Sequence, residues 1–104
     1  MKLMIVLFSL VTAQMALSNC VGEGQIIAKV AGIKSKSLSN CTIDIDANSI
    51  TQYNVNQTCI LDIQEVLYKG VEVGLKDGHD CRFDAGDTIS GVLVLNKAGQ
   101  IILE

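Results

Sequence analysis

Four cysteines, at positions 20, 41, 59 and 81, most restrict how this chain of 104 residues can fold. They follow a leader in which residues 3–11 are nearly all apolar and Ala16-Leu17-Ser18 provides small residues before a cut at Asn19. This layout is typical of a secretory signal peptide. We therefore expect residues 1–18 to be a signal peptide and residues 19–104 to form one small domain. Its expected location is secreted or periplasmic, where disulfides form and persist.

The same segment is also compatible with a second kind of processing, cleavage before a lipid-modified cysteine. Leu17-Ser18-Asn19-Cys20 resembles a bacterial lipobox, in which the cysteine becomes lipid-anchored in the cell envelope. Asn19 departs from that pattern, and lipidation of Cys20 would leave an odd number of cysteines for pairing. A membrane span needs about 20 apolar residues, and Thr12 and Gln14 interrupt the leader first. No transmembrane segment is expected.

Size and charge narrow the possible functions. Residues 19–104 carry seven basic against eleven acidic side chains, a net charge of −4. An acidic surface repels phosphate backbones, so we expect no nucleic-acid partner. The chain contains no tryptophan, which makes large apolar ligands and glycans less expected. A hydrophobic core this small gives only marginal stability on its own. Two disulfides would each add about 2–4 kcal/mol to the free energy of unfolding.

Alternating apolar and polar residues predict mostly strands. In CTIDIDA (41–47), Cys41, Ile43 and Ile45 share one face, as in a half-buried strand. The segment 61–70 breaks this alternation and ends in Lys69-Gly70, which predicts a short helix. Further strands are predicted at 24–34, 49–60, 71–75, 88–95 and 100–103. The last two form a hairpin at NKAG, where Gly99 can adopt a left-handed conformation.

The cysteine pairing depends on how these strands associate. If 41–47 and 49–60 form a hairpin turning at 48–51, Cys41 faces Cys59 at a position where antiparallel strands approach closely. This predicts Cys41–Cys59, and leaves Cys20–Cys81 to tie the N-terminus to a later loop. Four cysteines permit three connectivities, so the sequence alone does not decide among them.

Together these features predict a mainly β fold. The expected architecture is a small antiparallel barrel with one short helix, stapled by two disulfides. The order of elements, and the segment GDTISG that opens the penultimate strand, resemble an OB-type barrel. A small β-sandwich and a cystatin-like α+β fold are the alternatives. The apolar final strand QIILE could also pair two copies through its edge, giving a homodimer.

The segment KDGHDCRFDAGD (76–87) gathers the residue types that most often carry chemistry. Cys81 and His79 could act as nucleophile and base, but a disulfide removes the thiolate that this requires. Four aspartates offer oxygen ligands for calcium, but their spacing fails the EF-hand pattern. If the cysteines form disulfides, His79 is the one nitrogen ligand left for a zinc ion. We therefore predict a polar turn stapled by a disulfide, with no metal and no cofactor.

The sequence favours a non-enzymatic binding or structural module that acts on a protein or small ligand through a loop or strand edge. Alternatives are a secreted inhibitor or toxin-like effector, and a small metal-dependent hydrolase. Two surfaces are the candidate contact regions, one basic and one mostly acidic. The residues are Lys29, Lys34 and Lys36 in the first, and Asp77, His79, Asp80, Arg82, Asp84 and Asp87 in the second.

Overall fold

The computed structural model of the protein describes residues 21–104. The predicted signal peptide and the possible lipidation of Cys20 lie outside the described residues. One helix, α1, spans Ile63–Lys69, and a single 3-10 turn spans Ala47–Ser49. The strands are β1 (Gly22–Lys36), β2 (Cys41–Ile45), β3 (Gln52–Val55), β4 (Val71–Val73), β5 (Leu75–Lys76), β6 (Asp80–Cys81), β7 (Thr88–Leu95) and β8 (Ile101–Leu103).

The 15-residue strand β1 organises the sheet. In its first part every second residue is buried, including Ile26, Ala28 and Val30, as the period of two requires. Its pairing with β2 shifts register twice, between Val30 and Gly32 and between Ile33 and Ser35. Such bulges bend a strand and increase its twist. The bent strand can therefore pair with β7 along its first half and with β2 along its second half.

Five strands close into a barrel in the order β1, β2, β4, β8, β7 and back to β1. All of these pairings are antiparallel except that of β4 with β8, where Glu72 is level with Ile102. The prediction of a mainly β, OB-like barrel with one short helix is confirmed. Closure leaves no free edge on these five strands over the paired stretches, which removes the usual site of strand aggregation.

The predicted hairpin of β2 with β3 is wrong. β3 pairs instead with residues 24–27 of β1, and β2 pairs with residues 30–36. The two short strands therefore follow one another along the same side of β1. The connection between them is held to β1, since Asp46 N–H donates to the Lys29 carbonyl (2.9 Å) and Thr51 N–H to the Ile27 carbonyl (3.0 Å).

The predicted disulfide connectivity is wrong for the same reason. Because β2 and β3 are not neighbours, Cys41 does not face Cys59. Cys41 is bonded to Cys81, with 5.5 Å between their Cα atoms. Cys59 carries no free thiol either. Cys20, the fourth cysteine of the expected pairs, lies outside the described residues.

The core is apolar and is covered on one side by α1. Buried residues from the five barrel strands fill it, and no buried polar side chain occurs among residues 21–104. Asp62 caps α1 by accepting from the Gln64 N–H at 2.9 Å, and Val66 is fully buried. Ile63 and Leu67 pack against the core from the same helical stripe. Within residues 21–104, no helix has the length and apolar character needed to cross a membrane.

Tyr53 attaches β3 to the start of the helical segment. Its hydroxyl donates to the Leu61 carbonyl oxygen. Burial raises the pKa of the Tyr53 hydroxyl above its usual value of 10.0, and the negative charges of Asp62 and Glu65 raise it further. The neutral hydroxyl is therefore the form that the folded protein prefers.

The last two strands form the expected hairpin, with Gly99 at a φ of 87° in its turn. The final strand β8 pairs with β7 on one side and with β4 on the other. The expectation that β8 offers an unpaired edge for a second copy is therefore wrong. The end of the sheet is instead β3, which among the described residues pairs with β1 alone.

Candidate functional site

A groove of about 420 Å³, lined by both polar and apolar groups, lies on the outer surface of the barrel. It runs over β2 and β4, between the end of α1 and the loop that joins β7 to β8. A shallower groove of about 260 Å³ continues from it toward the loop that joins β1 to β2. The two share walls formed by Ser35, Thr42, Glu72 and Gln100. In OB-type barrels, the outer face of the second and third strands, flanked by such loops, is the usual ligand-binding surface.

The carboxylate of Glu72 lies at the centre of this groove and connects two loops. Its Oε1 accepts from the Asn40 side-chain amide at 3.0 Å, and its Oε2 accepts from the Gln100 amide at 3.2 Å. Asn40 belongs to the loop after β1, and Gln100 belongs to the loop before β8. Glu72 points outward because its neighbours Val71 and Val73 point into the core. The barrel thereby fixes the position of a carboxylate that holds both loops.

The Gln100 side chain is held in one orientation. Its amide oxygen accepts from the Asn96 side-chain amide at 3.2 Å, so its nitrogen faces Glu72. Asn96 Oδ1 in turn accepts from the backbone N–H groups of Ala98 and Gln100, both at 3.0 Å. Because each amide has a hydrogen-bonded partner, the groove presents donors and acceptors at defined positions.

The end of α1 forms the other wall. Lys69 Nζ lies 2.8 Å from the Glu65 carboxylate and donates to the Gly99 carbonyl at 3.1 Å, which ties the helix to the hairpin turn. Gly70 follows with a φ of 82° and a ψ of 176°, a region open almost only to glycine. A Cβ at this position would lie 2.9 Å from the Ile43 carbonyl oxygen. Glycine thus lets the helix end pass directly over β2.

Tyr68 stands at the rim of the groove with 81% of its side chain exposed. It lies on the solvent side of α1, opposite the stripe of Ile63, Val66 and Leu67 that faces the core. An exposed tyrosine ring beside a concave surface offers an apolar face and a hydroxyl to a ligand.

The predicted basic surface is divided by the structure. Lys34 and Lys36 line the groove, whereas Lys29 does not. Two bulges lie between Lys29 and Lys36, so the simple alternation of faces along β1 does not carry through. Lys34 Nζ is 3.9 Å from Asp44. Lys34, Lys36 and Lys69 line the groove and its extension with one acid, Glu72, while Asp44 and Glu65 lie beside the groove and pair with two of the lysines.

The predicted mostly acidic surface lies elsewhere. Residues 77–87 contribute nothing to the walls of either groove. Asp77 and Gly78 turn the short hairpin of β5 and β6 at positive φ, and Asp84 to Asp87 form a second turn. The guanidinium of Arg82 packs over the Phe83 ring at 5.1 Å. The side chains of Asp77, His79, Asp80, Arg82, Asp84 and Asp87 are exposed.

Two observations concern the thiol nucleophile and the metal site that were considered for residues 76–87. Cys81 is oxidised in its bond to Cys41, so it has no thiolate to offer as a nucleophile. Among residues 21–104, no group of three or more His, Cys, Asp or Glu side chains is placed to hold a metal ion.

Sequence reasoning missed Glu72, Asn40, Gln100 and Tyr68, the residues that define the groove. They come from four separate segments, so no local motif links them. The one available signal was Tyr68, an aromatic residue on the polar side of an amphipathic helix.

A second concave region lies on the outer face of β3, β1 and β7. It measures about 270 Å³ and is lined partly by Glu23, Gln25 and Asn54. It has no aromatic side chain in its walls and no loop closing over it from the final hairpin. The groove around Glu72 is therefore the better-formed site.

The arrangement around Glu72 offers hydrogen-bond donors and acceptors at defined positions in the groove. Its larger part falls within the range of about 300–1,000 Å³ typical of small-ligand sites. Family models, curated proteins and solved structures were each compared with the chain, and none of them matches it.

Proposed function

We propose that this protein is an exported, non-enzymatic binding module whose ligand occupies the groove around Glu72. The observation that carries the proposal is the carboxylate of Glu72, fixed by two amides from two different loops. Ordering these side chains from distant segments costs conformational entropy, and the ordered arrangement supports a binding role because it places donors and acceptors at defined positions in the groove.

Oxidised cysteines support the exported part of the proposal. A structural disulfide is common in secreted and envelope proteins and rare in the cytosol. The pairing of Cys41 with Cys81 also favours a binding role over thiol catalysis.

The test is to map ligand contacts on the oxidised, isotopically labelled protein by NMR. Four probe classes would be added in turn: neutral oligosaccharides, acidic oligosaccharides, a thymidine dodecanucleotide and a mixture of short peptides. We expect at least one class to shift the backbone amides of Thr42, Glu72 and Gln100 in a saturable manner.

Two matched variants locate the effect. Gln100→Ala removes a groove amide and should weaken binding, whereas Gln52→Ala removes an exposed amide on β3, outside this groove, and should not. Saturable shifts confined to residues 77–87 would instead favour the loop surface, as an inhibitor would use it. Shifts at neither surface, or turnover of any probe, would contradict the proposal.

A further inference from the structure

We propose that two copies of this protein associate through the outer edge of β3, which joins their sheets across a twofold axis. This interaction surface is separate from the groove, because no residue of β3 lines the groove or its extension. Among residues 21–104, β3 ends the sheet and pairs with β1 alone. An unpaired strand edge is a template on which another strand can pair.

The backbone groups of Tyr53 and Val55 face away from β1. Asn56 N–H donates to the Glu23 carbonyl at 3.0 Å, and β3 lies from there in regular antiparallel register with β1. Residues of an antiparallel strand face the partner strand alternately. Asn54 and Asn56 therefore direct their backbone groups toward β1, and Tyr53 and Val55 direct theirs outward. Among residues 21–104, no hydrogen bond is made to these outward groups, so they are open to a further strand.

The sequence of β3 does nothing to protect this edge. Natural edge strands commonly carry a lysine or another charge, a proline or a bulge that prevents pairing. This chain has no proline, and no charged residue occurs between Asp46 and Asp62. The register of β3 on β1 contains no bulge, and the side chains of Gln52 and Asn54 are exposed. The edge is therefore uncharged as well as unpaired.

The distribution of charge allows a second copy to approach at this edge. Residues 19–104 carry a net charge of −4, so two copies repel one another in most orientations. Residues 47–61, which include β3 and the segments on both sides of it, contain no charge. Contact at β3 therefore brings no like charges directly together.

The edge is also self-complementary about Asn54. The antiparallel register that uses all of the outward groups places Tyr53 opposite Val55 of the second copy, and so places Asn54 opposite its own copy. A side chain on a twofold axis meets an identical group. The amide of Asn54 contains both a donor and an acceptor, so two such amides can bond to each other. Two like charges at this position would repel.

The dimer should be weak because the paired strands are short. Stable interfaces bury about 1,200–2,000 Å² in total, and a contact limited to strands of four residues lies at the low end of sizes. We expect a dissociation constant of about 0.1–1 mM. Since the groove lies outside β3, the dimer leaves both grooves open, and a ligand with repeated units could occupy the two together.

The experiment combines sedimentation equilibrium with amide hydrogen exchange by NMR on the oxidised protein. The concentration is raised from about 20 µM to about 2 mM, which brackets the expected dissociation constant. We expect the fitted mass to rise toward twice that of the monomer. Over the same range, exchange of the Tyr53 and Val55 amides should slow by about twofold or more, because pairing protects them from water.

Variants at the twofold axis locate the contact. Asn54→Lys should weaken the dimer by about fivefold or more, because it places like charges face to face. Asn54→Asp should act in the same way, and an equimolar mixture of the two variants should restore association between unlike copies. Asn54 is exposed, so both variants should fold. Ser90→Lys adds a charge at an exposed position on β7 and is the matched control, which should dimerise like the parent.

Three results would overturn the inference. A protein that stays monomeric at the highest concentration does not pair through this edge. Association that Asn54→Lys leaves unchanged would place the contact elsewhere. Protection of Tyr53 and Val55 seen only after short peptides are added would show that a strand of another protein occupies the edge in place of a second copy. None of these results depends on the groove, so the proposed function is tested separately.

Discussion

Removing the Cys41–Cys81 disulfide should cost a large part of the protein's stability. The bonded cysteines are 40 residues apart in the chain. A cross-link closing a loop of that size removes unfolded-chain entropy worth about 4 kcal/mol at 25 °C. Small domains have a total free energy of unfolding of about 5–15 kcal/mol. The double variant Cys41→Ala/Cys81→Ala should therefore be close to the limit of folding.

The assay is urea unfolding followed by circular dichroism, with Val73→Ala as the control. Val73 is buried and pairs with Cys41 in the sheet, so its truncation removes neighbouring core volume without opening a cross-link. We expect the double variant to lose several kcal/mol more than this control, seen as a lower midpoint or as unfolding without urea. Equal losses in the two proteins would show that packing, and not the cross-link, accounts for the effect.

The connectivity itself is checked by a tryptic map without reduction. No lysine or arginine lies between Lys36 and Lys69, so peptide 37–69 holds both Cys41 and Cys59, and peptide 77–82 holds Cys81. Peptides 37–69 and 77–82 should stay joined until the protein is reduced. Peptide 37–69 recovered alone with an internal disulfide would refute this scheme.

Three further predictions concern single residues. Gly70→Ala should destabilise the fold by about 1–3 kcal/mol, because alanine is strained at that backbone conformation and its Cβ would lie 2.9 Å from the Ile43 carbonyl oxygen. Chemical denaturation measures the loss, and the control Gly78→Ala, which has a positive φ without crowding, should lose less. Glu72→Ala should speed hydrogen exchange in residues 37–40 and 96–100, while Glu104→Ala should not. The neutral Tyr53 hydroxyl contributes fully to the stability of the fold below pH 10, the usual pKa of an unfolded tyrosine. This contribution is lost as the pH rises through the raised pKa of Tyr53 in the folded protein, because the unfolded tyrosine ionises first. Tyr53→Phe should lower stability by about 1 kcal/mol at neutral pH and flatten the alkaline decline of an unfolding curve measured from pH 8 to 11.

Local patterns in the sequence predict the individual elements well. Alternation in CTIDI identifies β2 because each apolar residue there is buried, and the apolar stripe of residues 63–67 identifies α1. The pairing of strands is not local. Residues 48–51 are predicted to form a hairpin turn, but the backbone of Asp46 and Thr51 is hydrogen-bonded to β1, so the chain continues along β1 without folding back. Nothing in the alternation of β2 and β3 distinguishes these two paths.

The candidate site shows the same limit. Lys34 and Lys36 are close in the sequence, which predicts that they share a surface, and they do line the groove and its extension. Glu72 is a single acid between two valines, and only barrel closure brings it between Asn40 and Gln100, which lie 60 residues apart in the chain. A polar network assembled by topology carries no sequence motif, so it could be seen only once the strands were placed.

Cys41 and the groove lie on opposite faces of β2. Cys41 is paired with Val73, and the next pair in the register is Thr42 with Glu72. Since side chains alternate along a strand, Cys41 and Val73 point into the core where Thr42 and Glu72 point outward. The cross-link to Cys81 therefore sits directly behind the floor of the groove. The disulfide adds a covalent tie from β2 to β6 at this point, beside the hydrogen-bonded pairing of β2 with β4, and such a tie matters most in a small barrel whose core is limited.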